Sequence, residues 1–442
     1  MANFKVKNGL QAGRYLLNST TLSGSTIDLS LASMFSTTLS SDPAYAFTNP
    51  PASGNAQAFS VEVTGGTTTF TQDSFATTLY TGNSSTQTIT NGLDLAGDGG
   101  LIWTKVRDQN GGDHSLIDSA SSWADDLVSN KTDAAAITSY LNFSASSTGY
   151  SINTAAFRYN ENNANYVSWT FKKQAKFFDV VTFTGTGSDV DISHNLGAVP
   201  AMIIGKRTDA SGNWMVWHIG TGMSNGGFTG LSLNTTASAA FTGVQSDQGI
   251  NSSTFNTGYV LSSDSIKAVV DGASYVFYLF AHDTASDSRI KCGSYTGTGA
   301  IGNTITLGWE PQWIMVKNTD TTTPWVMVDV PRGMPEDGSG PRLLANASDA
   351  EVTNASFFAP RATGFEVTKQ NTYVNTSGQN YIYMAIRASA ATDSAITWPS
   401  SVKWPSGLAP TTPAPGKKDL FTFLTTDGGT TYYGKKAAEG IA

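Results

Sequence analysis

Four histidines, His114, His194, His218 and His282, are the side chains best suited to proton transfer or metal ligation near neutral pH. No two of them have the spacing of a zinc site, and one cysteine, Cys292, cannot supply the missing ligands. Asp189 and Asp191 could touch calcium, but the rest of a ligand loop is absent. Glycosidic cleavage needs two carboxylates about 5–10 Å apart across a cleft. The densest candidates are Glu336-Asp337, in a Gly/Pro-rich loop, and Asp125-Asp126, on the exposed face of a helix candidate at residues 121–140. Neither pair has a partner at a fixed distance, and the G-x-S-x-G nucleophile elbow is missing. No catalytic residue, metal or cofactor is assigned, and the chain reads as a non-enzyme.

Tryptophan and tyrosine rings are natural platforms for sugars. Trp103, Trp214, Trp313 and Trp325, however, fall on strands that recur along the chain, where core packing accounts for them. Binding residues are therefore left unassigned. Asn83 and Asn251 open Asn-x-Ser tripeptides of a kind expected by chance in so polar a chain.

The elements that must position these groups are repeated three times. An opening turn reads Tyr80-Thr81-Gly82, Phe183-Thr184-Gly185 and Tyr295-Thr296-Gly297. An apolar strand then ends on Lys105, Lys206 or Lys317, and a return strand ends on Asp118, His218 or Asp329. His218 thus fills a polar strand-end slot. A Gly-aromatic step follows at Gly149-Tyr150, Gly258-Tyr259 and Gly364-Phe365, and closing strands begin at Tyr166, Tyr275 and Tyr381. The period of roughly 105 residues is domain-sized and too long for a solenoid unit. Short strands separated by turn residues predict two-sheet sandwiches, jelly-roll-like or lectin-like. The Thr/Gly phrase at 183–187 is no phosphate loop, because no helix with Lys-Ser/Thr follows it.

Residues 14–66 and the C-terminal stretch are each too small to bury a core alone. Phe59, Val61 and Val63 alternate with Ala58, Ser60 and Glu62 as in a half-buried strand, and Asp427-Gly428-Gly429 marks a hairpin-type turn. The expected architecture is all-β: three tandem β-sandwich domains inserted into a small β domain built from both ends of the chain. The boundaries are 1–13 for a docking arm, 14–70 plus 394–442 for the split domain, and 71–177, 178–290 and 291–393 for the repeats.

Charged residues make up only 14% of the 442, and the formal net charge is −8. Without a basic run, nucleic acid is not an expected partner. The opening residues lack a continuous apolar h-region, and no stretch approaches a membrane span. An uncharged, Ser/Thr/Asn-rich surface without disulfides or an export signal suits a virion, whose proteins are made in the cytoplasm and released by lysis.

The segments FTNPPASGNAQAFSVEVTGG (47–66) and ITWPSSVKWPSGLAPT with LFTFLTTDGG and YYG resemble the two halves of a small β domain of marine bacteriophage tail and fibre proteins. FKVKNGLQAGRYL (4–16) resembles the opening of virion structural proteins from podoviruses of marine cyanobacteria. The repeats are similar to a concanavalin-like domain of phage virion proteins, although the first lacks the Leu196-Gly197-Ala198-Val199-Pro200 step of the second. The resemblance implies a virion structural protein, a tail fibre or other external appendage contributing to host attachment. Its implied partners are other virion proteins, copies of itself in a trimer, and a host surface glycan. A capsid-decorating or horn-like protein and a glycan-degrading tailspike are the alternatives. Replacing residues 72–391 with a short linker should leave a soluble β domain; an unfolded product by circular dichroism would refute the split-domain reading.

Overall fold

The computed structural model describes residues 19–441 apart from 23–25, 39–44, 53–55, 65–73, 138–142, 154, 189, 223–226, 240, 245–249, 258–269, 285–287, 335–338, 354–356, 389–395, 397, 406, 408 and 411–417. The docking arm expected at 1–13 lies outside the described residues. The chain divides into two compact units, Met1–Thr69 with Ala390–Ala442, and Phe70–Ser389.

In the first unit the two ends of the chain share a six-stranded sheet. Gln57–Thr64 pairs antiparallel with Lys418–Thr425, so that Phe59 faces Phe423 and Val61 faces Phe421. The alternation read from sequence puts Phe59, Val61, Val63, Phe421 and Phe423 on one buried face. The Phe59 and Phe423 rings stack at 5.0 Å, and Phe47 meets both edge-on. Such contacts are worth roughly 1 kcal/mol each beyond the area they bury. Lys418–Thr425 then turns back through Gly428 and Gly429, both at positive φ, into Tyr432–Ile441.

The second unit is all-β by the same logic, applied three times. Each repeat places its opening strand, closing strand, lysine strand and return strand side by side in that order, all antiparallel. In the first repeat these are Phe75–Thr81, Asn165–Lys172, Gly100–Val106 and Ser115–Asp118. In the second they are Phe178–Thr184, Ser274–Ala281, Pro200–Arg207 and Met215–His218. In the third they are Ile290–Thr296, Asn380–Arg387, Pro311–Asn318 and Val326–Asp329. A smaller sheet goes with each, such as Asn303–Thr306, Gly364–Val367 and Phe358–Arg361 in the third.

The lysine strands read as unbroken apolar runs because both of their faces are covered. In the third repeat Ile314 and Val316 point into the repeat's own sandwich, while Trp313 and Met315 point into a second core. That second core is common property. It joins Leu101, Trp103 and Trp169 of the first repeat to Met202, Ile204 and Tyr278 of the second and to Trp313, Met384 and Trp325 of the third. The repeats are therefore lobes of one body, each with one face closed by its neighbours.

The sequence landmarks have physical causes. Tyr80 stacks on Tyr166 at 5.1 Å and Tyr295 on Tyr381 at 5.0 Å, which ties opening turn to closing strand. The glycine of the Gly-aromatic step lies against backbone: a Cβ on Gly364 would sit 1.9 Å from the Ile305 carbonyl oxygen. One expectation fails. Residues 121–140 hold no helix among the described residues; Asp125–Asp126 and Ala136–Ile137 form a short antiparallel pair. Ser122 and Trp123 take positive φ, which no helix admits, and Leu127 bridges to Leu116 instead. Gly364→Ala should lower stability by about 2 kcal/mol or more in chemical denaturation. An unchanged midpoint would mean that the close approach is not a real constraint.

Candidate functional site

The lobes meet at three seams, and equivalent positions do the joining at each. Trp214 of the second repeat donates its indole N–H to the Val128 carbonyl of the first at 2.8 Å. Trp325 of the third donates to Ser232 O of the second at 3.0 Å. His114 of the first pairs through Nε2 with Leu344 O of the third at 3.0 Å, completing the cycle. The strand-end slot makes a second ring. The Tyr278 hydroxyl donates to Asp118 at 2.8 Å, Trp169 Nε1 donates to Asp329 at 2.9 Å, and His218 Nε2 pairs with Tyr383 O at 3.0 Å. A backbone ring runs alongside: Ala135 N to Thr208 O, Ala239 N to Thr319 O and Glu351 N to Arg107 O, at 2.8, 2.9 and 2.7 Å.

The recurrent lysines belong to the same frame. Lys206 Nζ donates to Arg207 O at 2.9 Å and across the seam to Thr132 O at 3.2 Å. Lys317 donates to Asn318 O at 2.8 Å and across to Thr236 O at 3.3 Å, and Lys105 donates to Val106 O at 2.7 Å. Burial pushes all three ammonium groups down to about 8.

The seams differ in what fills the space beside the strand-end slot. Between the third and first repeats it is filled by Arg332, whose side chain is fully buried. Arg332 holds Asp329 at 2.6 Å and Glu351 at 3.1 Å and lies over the Trp169 ring, while Arg107 binds Glu351 from the other side at 2.7 Å. Between the second and third repeats a 3-10 turn, Ile219–Thr221, is pressed against the third repeat. A Cβ on its Gly220 would come within 2.9 Å of Ile382 and 3.0 Å of Ser294.

Between the first and second repeats the corresponding space is an open groove of about 630 Å³. Its lining includes Asp118, Ser121 and Asp125 of the first repeat and Thr182, Thr184, Asp209 and Ser274 of the second, while the Phe183 and Tyr275 rings lie on the opposite face of their strands. Phe183 is half-buried beside Tyr275, ring centres 6.2 Å apart, and Thr182 and Thr184 are exposed. Asp118 is buried and fully engaged: one oxygen accepts from Tyr278, the other from Ser121 N at 2.9 Å. Burial raises its carboxyl above the ordinary range, as it does for Asp125. Asp209 is bound by Arg207 at 2.8 Å, which holds it below that range.

Of the residues singled out from sequence as catalytic, metal or sugar-binding candidates, only Asp125 reaches this groove. Asp126 turns inward to Arg158, at 2.6 Å, and to Tyr159. Asp189, Glu336 and Asp337 lie outside the described residues. Asp191 is exposed and accepts from Asn256 at 2.8 Å. Trp103, Trp214, Trp313, Trp325 and Cys292 are buried. His194 is buried against Phe255, and half-buried His282 lies near His218. Asn83 and Asn251 cap tight turns through their side chains. No cluster of three or more His, Cys, Asp or Glu fit to hold a metal occurs among the described residues. Asp118 was visible only as a repeat landmark and Asp209 not at all, since nothing in their spacing announces a shared groove. In the other unit, Lys403, Trp404, Phe423, Leu424, Tyr433 and Lys435 line an apolar groove.

Two seam histidines give the frame an acid sensitivity. His218 accepts from Gly220 N at 2.9 Å through Nδ1, and His114 accepts from Trp103 Nε1 at 2.9 Å, so both are held neutral. Burial pushes His218 down to about 4 and His114 well below its usual value. A lowered histidine pKa means that the unfolded chain binds the proton first. The stability from His218 is therefore complete above about pH 6.5 and is lost as pH falls toward 4, by roughly 3 kcal/mol. Raised Asp118 and Asp126 act in the opposite sense, so the difference between proteins is the readout. His218→Gln should show a shallower loss of stability than wild type between pH 6.5 and 4, and parallel curves would contradict the assignment.

Residues 71–389 match a family described as "Domain of unknown function (DUF7483)". No curated protein matches the chain. A solved structure described as "Crystal Structure of the STIV MCP" aligns at 7% identity and a TM-score of 0.16, over 47% of this chain and 95% of its own. The family match takes in well over half of the 442 residues and all three seam-forming repeats, and the chain belongs to the DUF7483 family.

Proposed function

We propose that the chain is a bacteriophage virion structural protein, a subunit of a tail fibre or other external appendage that contributes to host-surface attachment. The observation that carries this reading is one polar groove, open among the described residues at one seam of a body whose other two seams are filled. A cross-braced three-lobed body holds such a groove without a moving part. The sparse charge and the Ser, Thr and Asn content suit a surface exposed on a particle outside the cell. Several copies on one virion, other virion proteins holding them in a trimer, would convert weak single contacts into firm attachment.

A binding role fits the groove better than a hydrolytic one. Cleavage needs one carboxyl free to give a proton and another free to act as base or nucleophile. Asp118 is committed to Tyr278 and Ser121, and Asp209 to Arg207, which leaves Asp125 alone. Antibody raised against the full chain should label the tail of intact particles in immunogold microscopy; label confined to the capsid face would replace the appendage reading with a decorating one. Purified protein should leave host polysaccharide at its original length in size-exclusion chromatography, and shortened chains would establish a depolymerase.

A further inference from the structure

The smaller unit buries one face of its six-stranded sheet and leaves the other uncovered. Phe59, Val61, Phe421 and Phe423 enter the core, and strand alternation turns Ala58, Thr422, Leu424, Tyr433 and Lys435 to the other side. Ala58, Leu424, Tyr433 and Lys403 are register partners, one row across four strands. Leu424 is 42% exposed and Tyr433 58%, and the groove they line measures about 630 Å³. Lys403 and Lys435 flank Tyr433, both exposed and neither in an ion pair among the described residues. The third large apolar side chain that this unit exposes among the described residues is Leu31, at 60%. It follows the parallel pair Thr26–Asp28 and Ala46–Thr48, in a turn closed by Leu31 N to Asp28 O at 3.1 Å, which brings Leu31 back beside Asp28. Ile27 and Leu29 enter the core from the side opposite the groove, so Asp28 between them points away from the sheet. The Asp28 carboxylate accepts only from Ser30 and Asn49, at 2.7 to 2.9 Å, and these neutral donors leave its charge open to a cation.

We infer that copies of the chain join head to tail through these two patches, Leu31 of one copy seated in the Leu424–Tyr433 groove of the next and its Asp28 set against Lys403 and Lys435. The patches lie on opposite sides of the unit's core, so a copy cannot fill its own groove. A contact between unlike patches leaves one patch free at each end of a pair, and a ring of three or more copies closes it. Apolar burial of Leu31, Leu424 and Tyr433 supplies the attraction, and the matched charges at the rim fix the register. The balance of charge favours this unit as the meeting place. It has eight Lys and Arg against seven Asp and Glu, and the larger unit has the remaining 18 against 27. Like-charge repulsion therefore opposes association through the larger unit and not through the smaller. The inference goes beyond the attachment reading, since it concerns what holds copies together wherever on a particle they sit.

Sedimentation velocity of the full chain tests this. Wild type should run at three or more times the 46.6 kDa of one copy. Tyr433→Lys and Leu31→Asp should each weaken association about tenfold or more and leave monomers. Each of these variants keeps the patch that the other has lost, so a mixture of the two should form a one-to-one pair and nothing larger. Asp28→Lys should also dissociate the ring, and adding Lys403→Asp and Lys435→Asp to the same chain should restore it. Melting curves that match wild type, expected because Leu31 and Tyr433 are exposed, show that the variants fold. A wild-type monomer would give the groove to a foreign partner and overturn the proposal. So would a wild-type dimer, which requires like patches to meet, an assembly indifferent to the variants, or a mixture that stays monomeric. Immunogold label on the capsid face would remove the appendage reading and leave the ring standing.

Discussion

Buried polar atoms need partners, and in the larger unit three at equivalent positions find theirs on a neighbouring repeat. The indole N–H of Trp214 and Trp325 and the imidazole of His114 sit in a core that excludes water, where an unmatched donor costs about 1–3 kcal/mol. Each finds a carbonyl across a seam, and each seam supplies the carbonyl for one of them. The ring closes only when all three repeats are present. The main sheets could not stand alone either, since Trp103, Tyr278 and Trp313 would lie bare on their outer faces. The repeats depend on each other for hydrogen bonds and for apolar cover at once.

That dependence gives meaning to the departures from symmetry. A seam held by equivalent bonds can vary in the residues beside those bonds without opening. The third repeat uses the freedom to bury an arginine between two carboxylates and an indole, a costly group made tolerable by complete pairing. The second uses it for a tight turn whose glycine admits no side chain. The first leaves a gap. One wall of such a groove belongs to strands fixed by the ring, and a fixed wall spends little ordering energy on a ligand.

The repeat landmarks were legible in the sequence because each answers a local demand. Glycine stands where backbone passes within contact distance, tyrosine where turn and closing strand stack, and apolar runs where a strand is covered on both faces. The alternation of Phe59, Val61 and Val63 showed a half-buried strand for the same reason. The stretch 121–140 misled because its spacing of apolar residues fits a helix, while its actual bonds go to a neighbouring strand of its own repeat and to the other repeats. Leu127 and Val128 are apolar to serve a seam, and Ser122 and Trp123 turn the chain in a way no helix allows.

By itself, then, the sequence determined strand content, threefold repetition and the all-β class, since these follow from period-2 patterning and turn chemistry within short windows. Only the tertiary structure decided that the repeats share one core, and which polar side chains pair across it, since such partners lie some 80 to 230 positions apart. It alone also brought Asp125 into one groove with Thr182 and Asp209. No local pattern encodes a space left unfilled, because a gap is defined by what three separate stretches fail to place there.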